Sequence, residues 1–148
     1  PYVDADSGAV MALSTTPVSP DQITEAVRGT AHLIQHWIPK AYEVRATIVG
    51  RRVFAVRIDA GSDAARIDWR TDYDALTYTP VTLPEPVADR LLALLDVLSL
   101  RFAAVDLAVT PDGEHVFFEV NPNGQWHWIA HETGLPIAAA IADELESR

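Results

Sequence analysis

Two apolar runs, 102–109 and 115–121, stand either side of Thr110-Pro111-Asp112-Gly113, and this arrangement constrains the fold more than any other feature of the chain. Proline, aspartate and glycine in succession favour a tight turn, so the simplest reading is an antiparallel hairpin. Successive side chains of a strand point to opposite faces, which puts Glu119 and Asn121 on the same one. With a loop at 111–114, residues 110 and 115 pair and Asp106 stands opposite Glu119. Three oxygen donors then converge among Val105, Leu107, Val109, Phe117, Phe118 and Val120. Hard cations such as Mg2+ take carboxylate and amide oxygens while keeping positions for water and phosphate. A polar strand face turned to solvent is the competing reading of the same spacing.

The rest of the chain supplies elements that can pack on such a hairpin. Ser19-Pro20-Asp21-Gln22 combines a capping serine, a proline at the first helical position and a glutamine three residues after the cap, which predicts a helix over 20–30. The runs 33–38 and 44–49 are rich in β-branched or aromatic residues, and Gly50-Arg51 can turn the second back into 52–58, so three antiparallel strands are expected. A polar, turn-prone stretch at 59–74 precedes a strand at 76–83. Leucine spacing predicts a helix over 84–99, with Leu91, Leu94, Leu95 and Leu98 on one face, and a last helix runs over 136–145. Antiparallel strands with helices packed on them make the expected class α+β. Neither G-x-G-x-x-G nor G-x-x-x-x-G-K-[ST] occurs.

Composition narrows the partners. At 148 residues the chain suits one domain with a sizeable core. Its formal charge of −10 repels nucleic-acid backbones and anionic membranes, so a phosphate-bearing ligand needs local arginines. There is no cysteine, hence no thiolate nucleophile, and a cytoplasmic location is the expectation. No apolar run reaches the roughly 20 residues of a membrane span. His127 and His131 are four apart, but they do not match H-E-x-x-H, and Gly124 argues against a regular helix there. Trp126 and Trp128 read as buried anchors before they read as a peptide groove.

The run 104–130, AVDLAVTPDGEHVFFEVNPNGQWHWIA, resembles the end of the ATP-grasp core in peptide-modifying ligases. Asn-Pro-Asn-Gly-Gln-Trp at 121–126 is similar in particular to the microviridin-type peptide ligases, or graspetide synthetases, and to their ribosomal-protein glutamate ligase relatives. The resemblance implies an antiparallel C-terminal subdomain of the ATP-grasp fold, with ATP and Mg2+ as cofactors. It implies that Asp106, Glu119 and Asn121 hold the metal. Gln35-His36-Trp37-Ile38 followed by Glu43 is similar to the family's adenine hinge, so Gln35, Trp37 and Ile38 would read the base and Glu43 the ribose hydroxyls. A carboxylate suits paired hydroxyl donors. Glu43-Val44-Arg45 matches an acidic-x-Arg signature. With Arg57, and Arg70 in Asp68-Trp69-Arg70, Arg45 falls where the family places arginines near the phosphates and the acceptor carboxylate. Guanidinium suits both, being always charged and able to bind bidentately.

By the same resemblance, the activity is ADP-forming ligation of a carboxylate to an amine or a hydroxyl on a peptide, in the maturation of ribosomal peptides, with guidance by a leader segment and a homodimer both left open. Residues 1–31 would be the tail of the front subdomain and 32–148 the hinge and metal- and phosphate-binding subdomain. The family's phosphate-binding lysines and small-residue loop belong to the front half. Here the single lysine, Lys40, lies in the hinge segment. The chain starts at Pro1 without a methionine, so it is expected to be part of a longer ligase and incomplete as a catalyst alone. The alternative is a non-catalytic domain of ATP-grasp ancestry that binds a peptide or a partner.

Overall fold

The computed structural model describes residues 2–3, 10–11, 14–29 and 31–147. It resolves into two compact units, one made of the segments up to Trp37 and Ala60–Leu76, the other of Ile38–Asp59 and Thr77 onward. No helix among the described residues is long and apolar enough to cross a membrane.

The larger unit is built on a five-stranded sheet. Its strands are β3 (Tyr42–Val49), β4 (Arg52–Ala60), β5 (Leu76–Val81), β6 (Phe102–Val109) and β7 (His115–Asn121), in the order β5-β4-β3-β6-β7. The β3–β4, β3–β6 and β6–β7 pairs are antiparallel, so the α+β class expected from the sequence is the one observed. Gly50 adopts φ +58° in the two-residue turn between β3 and β4, a conformation glycine takes without steric cost.

One expected strand is absent. The run 33–38 forms no ladder with any of the described residues, and Leu33 is 87% exposed. The place beside β3 goes instead to β6. Nearly every residue of β3 is buried, on both faces, and a strand in that position needs neighbours that can bury both of theirs. Ala103, Val105, Leu107 and Val109 on one face and Ala104 and Ala108 on the other meet that demand, whereas Gln35 and His36 do not.

On one face of the sheet, Val44, Ala46, Ile48, Ala55, Val105 and Leu107 pack with Leu91 and Leu95 of helix α2 (Glu85–Val97). Leu98, expected on the same stripe, is 45% exposed, because the helix has ended and the chain turns at Ser99 with φ +55°. The opposite face is covered at one end by α3 (His127–Thr133) and α4 (Ile137–Glu146), through Ile129, Ile137, Ala140, Val49 and Val56. A helix does form over His127–Thr133, with Gly134 in the left-handed region as its stop. Trp126 and Trp128 pack into this second core, as expected of anchors. Arg52 fastens α4 through Asp143 at 2.7 Å and the Ala140 carbonyl at 2.6 Å, and Arg101 does so through Glu144.

In the smaller unit, β1 (Tyr2–Val3) and β2 (Val10–Met11) pair antiparallel, and the other regular helix is α1 (Asp63–Ile67), capped by the Ser62 hydroxyl. The helix expected over 20–30 is two short 3-10 turns, Pro20–Gln22 and Glu25–Gly29; Thr30 and most of residues 1–16 lie outside the described residues. The start signal is correct, since Gln22 Oε1 accepts the Ser19 N–H at 2.8 Å. The helix fails to propagate because Ile23 is extended and 42% exposed, so no apolar face docks.

After β7 the chain folds back tightly over the sheet. A Cβ added at Gly124 would lie 2.3 Å from the Ala104 Cβ, so Gly124→Ala must push the 121–124 turn off β6. Overpacking of this kind costs about 1–3 kcal/mol. Urea unfolding should show that loss for Gly124→Ala, and Ala104→Gly in the same chain should restore most of it.

Candidate functional site

The register of the sheet brings charged side chains together on the part of the second face that α3 and α4 leave uncovered. Reading across it, Ile58, Glu43, Ala108 and Val116 form one row, Val56, Arg45, Asp106 and Glu119 the next, and Phe54, Thr47, Ala104 and Asn121 the third. Directly opposed residues of neighbouring strands share a face, so Glu43, Arg45, Asp106, Glu119 and Asn121 all belong to this one.

Asp106 does stand opposite Glu119, by a route the sequence did not reveal. The turn is one residue longer than expected: Val109, not Thr110, pairs with His115, and Thr110 N–H donates to the Glu114 carbonyl at 2.9 Å. Continued regularly, that register would put Phe118 against Asp106 and Glu119 against Val105, on the α2 face. A β-bulge between the Leu107 and Asp106 pairs absorbs Phe118 and restores Glu119 to Asp106 and Asn121 to Ala104. Bulges re-aim side chains in this way beside functional sites.

Arg45 Nε lies 2.9 Å from Asp106 Oδ1, with the two side chains 10% and 13% exposed. Burial pushes the Asp106 carboxyl well above the usual carboxylate range; Arg45 opposes that shift, while Glu119, Glu43 and a hydrogen bond with Glu119 reinforce it. Lys40, which the sequence reading left aside, closes on Glu43. Asn121 is exposed, and its Oδ1 accepts the Asn123 N–H at 2.9 Å, which fixes the amide at the head of the 121–124 turn.

This donor set fits a hard cation. No group of three or more His, Cys, Asp or Glu able to hold a metal occurs among the described residues. A cation on this face would therefore rest on Asp106, Glu119 and the Asn121 amide, and such a partial oxygen set suits Mg2+, which keeps several sites for water and phosphate. His127 and His131 sit exposed on α3, where His131 Nδ1 is 3.5 Å from Glu132, and they recruit no further ligand.

The other sequence candidates are distributed differently. Arg57 opposes Val44 and so lies on the α2 face, away from the carboxylates. There it stacks 3.9 Å from the Tyr42 ring centroid and donates twice to Asp59, at 2.7 and 2.6 Å. Ile38 is half-buried and unpaired at the entrance to the larger unit; Gln35 and Trp37 are exposed in the smaller one. Arg70, also in the smaller unit, donates to Asp68 at 2.8 and 3.0 Å and is 54% exposed.

The antiparallel α+β sheet defines a class, the fold shared with ATP-grasp ligases. Solved structures place it more closely. The chain is 37% identical, with a TM-score of 0.64, to the macrocyclase MdnC of Microcystis aeruginosa, solved bound with precursor peptide MdnA, over 75% of this chain and 35% of that one. It is 38% identical, with a TM-score of 0.66, to a Chryseobacterium gregarium RiPP-associated ATP-grasp ligase in complex with ADP and a leader and core peptide, over 72% and 33%. The ligase PsnB, solved with Mg, ADP and a minimal precursor variant, shares the fold at 16% identity and a TM-score of 0.61. The chain is thus similar to graspetide-type ATP-grasp ligases over about three quarters of its length and spans about a third of theirs. No protein-family model and no curated protein matches it.

Within the smaller unit, Asp68 carries a pH dependence. Burial alone would raise its carboxyl, but hydrogen bonds from the Arg70 guanidinium and the N–H groups of Thr15 and Arg70 outweigh that and hold it down at about 2. A folded pKa below the unfolded value means that the ionised form stabilises the fold above pH ~4, and the gain is lost as pH falls through ~2. The contribution is on the order of 2 kcal/mol, and Asp68→Asn should remove it at neutral pH while flattening the acid limb of the stability curve. Unfolding free energies measured from pH 7 to pH 2 check this; parallel curves for both proteins would contradict it.

Proposed function

We propose that the chain forms the metal- and nucleotide-facing part of an ATP-dependent ligase that joins a carboxylate to an amine or a hydroxyl on a ribosomal peptide. The observation that carries this reading is the convergence of Arg45, Asp106 and Glu119 on one sheet face, in a chain more than a third identical to two peptide ligases. ADP and peptides occupy the Chryseobacterium gregarium ligase, which supports ATP and a leader-bearing peptide as ligands here.

In the reaction, the peptide carboxylate takes the γ-phosphoryl group of ATP to give an acyl phosphate and ADP. An amine or hydroxyl then attacks the acyl carbon, the C–O bond to phosphate breaks, and the nucleophile's proton is lost. No protein nucleophile is needed. Asp106, Glu119 and Asn121 would hold magnesium, which would supply positive charge to offset that on the transferred phosphoryl group. Arg45, fixed by Asp106, is the guanidinium in the carboxylate row, where it can meet phosphate oxygens. Glu43 accepts from the ribose hydroxyls, and Ile38 of the same unit reads the adenine. Arg70, in the smaller unit, has its guanidinium oriented by Asp68. For Arg57 the Tyr42 and Asp59 contacts support a structural role on the α2 face. The phosphate-binding lysines and closing loop are supplied by the remainder of the ligase.

The test is Glu119→Gln in the ligase that contains this chain. Glu119 is exposed, so the isosteric change should leave the unfolding midpoint nearly unmoved, while loss of one metal-facing charge should lower turnover by roughly 100-fold to 1000-fold. ADP release with the cognate peptide, at saturating and at limiting magnesium, reads the effect. Near-normal turnover of the well-folded variant at both concentrations would remove the metal assignment.

A further inference from the structure

Lys40 is the chain's single lysine, and it is held where lysines seldom are. Its side chain and that of Glu43 are each 11% exposed, and Nζ contacts Glu43 Oε1. An ammonium is strongly hydrated and is rarely buried without a paired charge. The second wall of its site is Phe118, whose ring centroid lies 5.8 Å from Nζ, within the range of a cation–π contact. Phe118 is the residue that the β7 bulge sets aside from the regular pairing. The backbone is fixed as well, since the next residue, Ala41, donates its N–H to the Val109 carbonyl at 2.7 Å. The bulge therefore both restores Glu119 to the carboxylate row and provides the ring that confines Lys40 beside Glu43.

We propose that Lys40 is a positioning residue: by fixing the Glu43 carboxylate it sets selectivity for a ribonucleotide over its 2′-deoxy counterpart. This rests on the reading of Glu43 as the group that meets the sugar. An ionised carboxylate only accepts hydrogen bonds, and ribose hydroxyls donate them. Glu43 is buried on a face that also carries Asp106 and Glu119. Without the Lys40 ammonium against Oε1, the carboxylate loses the contact that fixes its orientation, and an ordered acceptor is lost with it. A site built to bind a hydroxyl rejects the analogue that lacks it, because the buried acceptor is then left unpaired.

The experiment compares kcat/KM for ATP and for 2′-deoxy-ATP in the ligase that contains this chain. The unsubstituted protein should prefer ATP by at least about tenfold. Lys40→Met should bring the ratio to within about twofold of unity, and Lys40→Arg, which keeps a cation beside Glu43, should retain most of it. A merely structural lysine would weaken both nucleotides alike, so an unchanged ratio in Lys40→Met overturns the proposal. If Lys40→Met does not fold, as judged by its thermal midpoint, Lys40→Gln takes its place; it too must cut the ratio at least about threefold, or the proposal falls. Glu43→Gln separates the two levels. Collapse of the ratio in Glu43→Gln but not in the Lys40 variants sinks the role of Lys40 alone, whereas an unchanged ratio in Glu43→Gln removes the sugar-binding reading of Glu43 and the proposal with it.

Discussion

The pairing of β3 with β6 is the interaction on which the rest of the larger unit depends. It sets Arg45 against Asp106 near the middle of a sheet, with both side chains almost out of solvent. Two opposite charges in that position are tolerable because each offsets the charge of the other, and removing either would strand a buried ion. The same pairing stacks Val44, Ala46 and Ile48 beside Val105, Leu107 and Ala103 on the reverse face, where α2 covers them. One ladder thus builds the core on one side and the charged row on the other, and β6 cannot slip by one residue without exchanging the two.

Around this ladder, irregular features are concentrated where the chemistry is proposed. A bulge returns Glu119 to the carboxylate face, the Asn121 amide is fixed by its own turn, and Gly124 lets that turn approach Ala104 closely. Away from the charged rows the structure is conventional: aliphatic residues fill the α2 face, and the end that α3 and α4 cover is apolar. Polar groups occupy the part of the face that no helix of this unit shields.

The arginines show how far residue type falls short of role. Arg45 and Arg57 come from adjacent strands and read alike in sequence, yet strand parity sends them to opposite faces, one to Asp106 and the other to Tyr42 and Asp59. Lys40 is the converse case. It lies in the hinge segment, with no role assigned from its sequence position, and it reaches Glu43 through a chain path fixed by β6.

What the sequence determined by itself is whatever a few neighbouring residues decide. The Gly50-Arg51 turn, the hairpin around residues 110–114, the leucine-rich helix and the last helix all rest on local periodicity or turn chemistry and are present close to the expected bounds. Asp106 facing Glu119 was also legible, although the reasoning assumed a shorter turn and no bulge, two differences that offset each other at this pair. Tertiary structure decided the choices between distant partners. β6 displaced the 33–38 run beside β3 because a strand buried on both faces needs neighbours equally apolar, and the segment 20–30 kept its cap but formed no continuous helix because no apolar face docks there. Local sequence sets what each segment can form, but burial against a particular partner selects among those forms, and that partner lies tens of residues away.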